Sequence, residues 1–140
     1  MQQLIGTWKL VSAISEEIPS GAKRDFYGAN ASGFINYGPD GRMIVLVVSG
    51  HRRKPAATVA TAAEAEALFR TMVSYAGRYT VEGDRITHHV DTAWNELWAG
   101  TRQVRIFKLD GDRVSLATEP TPDPFTGAMS VRTIVWERLR

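Results

Sequence analysis

Three tight-turn signals punctuate the chain, each set between runs rich in β-branched and aromatic residues. Gly38-Pro39-Asp40-Gly41 separates GFINY from RMIVLVV, Gly83-Asp84 separates RYTVE from RITHHV, and Gly111-Asp112 separates TRQVRIFKLD from RVSLATE. Glycine reaches the positive-φ backbone that a short reversal needs, and the flanking runs prefer a pleated, half-buried surface. A chain written this way folds as consecutive antiparallel hairpins.

The turns also set register. A two-residue loop at Gly83-Asp84 places Glu82 opposite Arg85, Val81 opposite Ile86, Thr80 opposite Thr87, Tyr79 opposite His88 and Arg78 opposite His89. Side chains alternate faces along a strand. Tyr79, Val81, Ile86, His88 and Val90 then share a mostly apolar face, and the two adjacent histidines point opposite ways. At residues 39–41 a type I turn followed by a left-handed glycine pairs Tyr37 with Met43 and Ile35 with Val45. The Gly111-Asp112 turn pairs Leu109 with Val114, Phe107 with Leu116 and Arg105 with Thr118.

Around these hairpins, LIGTWKLVS reads as a first strand and SVRTIVWERL as the last. Residues 20–32 and 50–60 read as loops, and 94–100 as a loop or strand start. PTPDPFTGA is no central strand, because its prolines remove ladder donors. Only residues 61–76 change period. Thr61 and Glu64 form a capping box there, and Ala65, Leu68, Phe69, Met72 and Val73 make one helical stripe. The sum is about eight strands and one short helix. A meander of that length removes its edges by closing, which predicts an up-and-down barrel with room for packed side chains or one small ligand.

The 140 residues suggest one domain over 1–140, and the composition, 44% hydrophobic and 23% charged, is that of an ordinary globular chain. A formal net charge of +2 with scattered basic residues gives no nucleic-acid signature. There is no cysteine, hence no disulfide framework or thiolate chemistry. No apolar run approaches the length of a membrane span, and MQQLIGTWKLV has neither a basic leader region nor a long apolar run. The expected home is the cytoplasm.

Four segments carry a resemblance: LIGTWKLVS, GFINYGPDGRM, GTRQVRIFKLDGDRVSLAT and the terminal WERL. In this order, across nearly the whole chain, they resemble the bacterial lipocalin-like domain family of the wider calycin group. The resemblance implies an all-β, antiparallel calycin-type β-barrel with a central cavity. It also implies that a tryptophan on the first strand packs against an arginine on the last. Trp8 and Arg138 match those positions, with a structural role at one barrel end.

Candidate site residues follow from the predicted inner face. Tyr79 and His88 are either a core hydrogen-bonded pair, a ligand contact or a general acid and base. Arg105, on one face with Phe107 and Leu109, places a cation in the barrel that calls for a carboxylate-bearing ligand, a partner such as Glu119 or Asp91, or water. Arg132 raises the same question on the last strand. Tyr37, Met43 and Val45 face inward from the second hairpin. Trp94 and Trp98 rim or plug the mouth. His51-Arg52-Arg53-Lys54 reads as a solvated loop, with anion capture at the mouth as the alternative. His88 and His89 cannot chelate together, and no metal-ligand spacing is present, so neither metal nor cofactor is expected.

The reading is therefore binding of a small, mainly hydrophobic, possibly anionic molecule inside the barrel, with Tyr37, Met43, Tyr79, His88, Trp98, Arg105 and Arg132 as ligand contacts. The alternative is an isomerase or cyclase using Tyr79 and His88 on a bound hydrophobic substrate. Ile44, Leu46 and Val48 make the outer face of their strand apolar as well, which suits cover by the helix or a homodimer.

Overall fold

The computed structural model describes residues 2–140. Ten strands follow in chain order: β1 (Gly6–Glu17), β2 (Lys23–Asp25), β3 (Ser32–Tyr37), β4 (Arg42–Val48), β5 (Met72–Glu82), β6 (Arg85–Ala93), β7 (Arg102–Asp110), β8 (Arg113–Ala117), β9 (Thr121–Pro122) and β10 (Met129–Arg138). Eight of them close an antiparallel barrel in the order β1-β3-β4-β5-β6-β7-β8-β10, with β10 returning to β1. The short strands β2 and β9 extend β1 and β10 beyond the closure. Closure leaves the eight long strands without a free edge.

The hairpins have the expected register. Tyr79 pairs with His88 and Val81 with Ile86, Tyr37 with Met43 and Ile35 with Val45, and Leu109 with Val114 and Phe107 with Leu116. At the two-residue turns the first central residue, Gly83 or Gly111, has φ 61°, the position where a type II′ turn wants glycine. The Arg105–Thr118 pair does not form. β8 ends at Ala117, and Thr118 turns to β10, donating its N–H to the Arg132 carbonyl at 2.9 Å.

The helix is shorter than its stripe. α1 spans Ala62–Arg70, opened by the Thr61–Glu64 capping box. Met72 and Val73 belong to β5, where Val48 pairs with Met72 and Val47 with Val73. Thr71 ends the helix, its hydroxyl donating to the Ala67 carbonyl at 2.7 Å. The β-branched, aromatic run that follows gains a full ladder against β4, which outweighs one more helical turn. α1 buries none of its residues. It does not cover the outer face of β4, where Ile44 and Leu46 are exposed.

The first strand starts two residues later and ends five residues later than its expected span Leu4–Ser12, and the last is shifted back by one residue. They meet where Trp8 pairs with Arg138. The Arg138 guanidinium lies 4.2 Å from the centre of the Trp8 ring, and its Nη1 donates to the Ile5 carbonyl at 2.8 Å. Trp8 is fully buried and donates its indole N–H to the Leu4 carbonyl.

Candidate functional site

Inside the barrel lies a cavity offering about 30 Å³ to the centres of water molecules, within about 480 Å³ of unoccupied space that includes its opening. Phe26, Tyr27, Tyr75, Trp98 and Trp136 form its aromatic wall. Ile35, Val45, Val73, Leu116 and Ile134 complete the apolar lining. The remaining lining residues are His88, Arg105 and Arg132, so among the described residues two arginines face the cavity and no carboxylate does.

His88 arrives on the inner face of β6 between Ile86 and Val90, and is 2% exposed. Both ring nitrogens are occupied: Nε2 lies 2.7 Å from the Tyr37 hydroxyl, and Nδ1 lies 2.7 Å from the Tyr75 hydroxyl. Burial, then the nearby Arg105 charge, holds its pKa down at about 3, so the ring is neutral at physiological pH. Burial raises the Tyr37 and Tyr75 pKa values, which keeps both phenols protonated. Tyr75 was hidden within the expected helix. Once Met72 starts a strand, Val73, Tyr75, Gly77 and Tyr79 fall on the inner face.

The expected Tyr79–His88 pair is only a pair of backbone neighbours. The Tyr79 hydroxyl donates to the Gly38 carbonyl at 2.7 Å, outside the cavity, and its ring meets Tyr37 edge-on. Nothing in this arrangement joins Tyr79 and His88 as acid and base. Tyr37 stands behind His88 and does not line the cavity, and Met43 packs in the core. His88, Trp98, Arg105 and Arg132 do come together around one space. His89 faces outward, near Thr80.

Arg132 rises from the inner face of β10 and is 4% exposed. Its guanidinium lies 5.0 Å from the centre of the Phe26 ring, and its Nη1 is buried with no hydrogen-bond partner among the described residues. Burial and the like charge of Arg105 lower its pKa to about 10. The buried carboxylate of Asp123 is committed elsewhere: to Arg24, to Ser15 and to the N–H groups of Phe125 and Thr126. Arg105 is half-buried and donates Nη1 to the carbonyl of its own neighbour Val104 at 3.0 Å. Glu119, offered as its partner, pairs with Arg85, and Asp91 pairs with Arg42. Trp136 adds a second buried, unpartnered donor, its Nε1.

Sequence reasoning missed Tyr27, Tyr75 and Trp136. Trp136 could have been found from the phase that carries Arg132, four residues back on the same strand and face. Phe26 and Tyr27 follow the three-residue strand β2, too short for any periodicity to show. An aromatic stack links α1 to the cavity wall: Phe69 to Trp94, Trp94 to Trp98, and Trp98 to Tyr75, with centroids 6.4, 5.2 and 5.6 Å apart. The basic cluster at residues 51–54 lines a separate outer groove against α1, where Arg52 donates to the Leu68 carbonyl.

The model of a lipocalin-like domain family matches residues 5–139. The chain belongs to the lipocalin-like domain family. Its barrel is similar to that of a lipocalin-like protein from Bacteroides uniformis ATCC 8492, with a TM-score of 0.51 at 10% identity, covering 97% of this chain and 98% of that one. An uncharacterized protein from Bacteroides eggerthii DSM 20697 matches with a TM-score of 0.47 at 12% identity, covering 97% and 99%. No curated protein matches this lipocalin-like chain. Among its described residues no helix is long and apolar enough to cross a membrane.

Proposed function

We propose that the barrel binds one small, mainly apolar molecule bearing an anionic group, most simply a carboxylate. The lipocalin-like fold suggests small-molecule binding in general. The finer reading rests on the pair of inward arginines in a cavity without a carboxylate. Asp123 favours the Arg132 charge from a distance but spends its hydrogen bonds on Arg24 and Ser15, and a buried guanidinium with an unmade hydrogen bond is costly. An anion placed between Arg132 and Arg105 offsets that cost and satisfies Nη1. The ligand's carbon then meets the aromatic and aliphatic wall, gaining roughly 25 cal/mol per Å² buried.

Size narrows the class. The 30 Å³ of free interior holds about two waters. A compact acid such as benzoate therefore enters only by displacing the aromatic wall around Trp98 toward the opening, and a long-chain fatty acid requires that wall to open further. Native mass spectrometry of the purified protein, with extraction of anything bound, tests the reading. One small acid per chain is expected. A neutral or cationic guest, or a bare chain that also ignores added acids, contradicts it.

A further inference from the structure

The order of protons around His88 decides what Tyr75 offers the cavity. Tyr37 is fully buried, does not line the cavity, and has the His88 Nε2 as its one hydroxyl partner among the described residues. A neutral imidazole carries one N–H and one bare nitrogen. If Nε2 carried the proton, it would donate to Tyr37, and the Tyr37 proton would be buried with no acceptor. Orphaned buried donors are what folded proteins avoid. If Nε2 is bare, Tyr37 donates to it and no proton is stranded. Nδ1 then carries the N–H and donates to the Tyr75 oxygen. Tyr75 lines the cavity, so its own proton is left pointing there.

We infer that Tyr37, His88 and Tyr75 form a directed chain whose end donates a hydrogen bond to the bound ligand, so that the site selects a carboxylate oxygen held jointly by Tyr75 and Arg132. This rests on the anion-binding reading above and adds a specificity-determining residue to it. Tyr37 and His88 are positioning residues: neither needs to touch the ligand. One effect opposes the order. The charges of Arg105 and Arg132 favour turning the Tyr75 lone pairs toward the cavity. Neither guanidinium hydrogen-bonds that hydroxyl among the described contacts, and an anion bound at the arginines reverses the field. The chain and the anion therefore support each other.

Two readouts test this. In a His51→Gln/His89→Gln variant, which keeps His88 as the sole imidazole, nitrogen NMR distinguishes the protonated from the bare ring nitrogen. The expected result, with and without sodium benzoate, is a protonated Nδ1 and a bare Nε2; a protonated Nε2 overturns the inference whether or not benzoate binds. Calorimetric titration then compares wild type with Tyr75→Phe, a change that keeps the ring. Loss of a hydrogen bond to a charged acceptor lowers benzoate affinity about tenfold or more. Equal affinity in the two proteins overturns the role of Tyr75 and leaves the arginine site standing. Failure of wild type to bind benzoate at all counts against the anion site itself, and the NMR result still decides the proton order.

Discussion

Arg132 separates stability from function at a single residue. Its guanidinium is buried, lacks a carboxylate partner, and sits near a second cation. Replacing buried ionic groups, even well-paired ones, with hydrophobes of similar volume is often neutral or stabilising, and among the described residues Arg132 makes no salt bridge that its replacement would break. Arg132→Met should therefore leave the unfolding free energy unchanged or raise it by about 1–4 kcal/mol, while acid binding falls at least about tenfold. Chemical denaturation and titration of the same variant check both halves. His88 acts through pH. It is neutral in the folded chain, with a pKa near 3 against an ordinary value of 6.5. Between those values the unfolded chain holds a proton that the folded chain excludes, so stability falls as pH drops from about 6.5 toward 3. The slope from this one group approaches about 1.4 kcal/mol per pH unit. His88→Gln should flatten that part of the profile. If the slope survives the substitution, the acid sensitivity belongs to another group.

At the scale of elements, β5 carries most of what sequence alone did not show. Its N-terminal half continues the apolar spacing of α1, so a helical stripe through Met72 and Val73 is a fair reading of one-dimensional pattern. The deciding factor is the ladder to β4, a contact between segments far apart in sequence. The three hairpins were legible because turn and register are local. The positions of Phe26 and Tyr27 were not, because they are set by packing of an irregular segment against the barrel. β5 also faces a bulge: between Ala76 and Gly77 its pairing with β6 passes over Asp91, from Thr92 to Val90, and a Cβ on Gly77 would lie 1.8 Å from the His89 carbonyl oxygen. Backbone cannot yield as a side-chain tip can. Gly77→Ala should cost about 1–3 kcal/mol in thermal or denaturant unfolding; an unchanged midpoint would show that the strands part freely there. α1 is the opposite case. With no buried residue, it should exchange its amide hydrogens well before β5 and β6 do, and equal protection by mass-resolved exchange would mean that it is held more firmly than its exposure implies.

Over the whole molecule, barrel closure turns scattered inner-face residues into one site. Arg105 on β7, Arg132 on β10, His88 on β6 and Tyr75 on β5 are distant in sequence and converge on one cavity because strands in register aim alternate side chains inward. The inward phase of His88 and Arg105 was readable from the hairpins. That Tyr79 turns to Gly38 while Tyr37 and Tyr75 hold His88 required the barrel's curvature. On the proposal above, this interior takes an anion. Trp98 and Trp136 line it, so tryptophan emission reports occupancy directly. The most direct measurement is a titration of that emission with a series of compact carboxylic acids, each matched by its alcohol and its amine. Saturation at one acid per chain is expected, with the alcohols weaker and the amines silent. Alcohols or amines that bind as well as the acids, or acids that leave the emission unmoved, would contradict it.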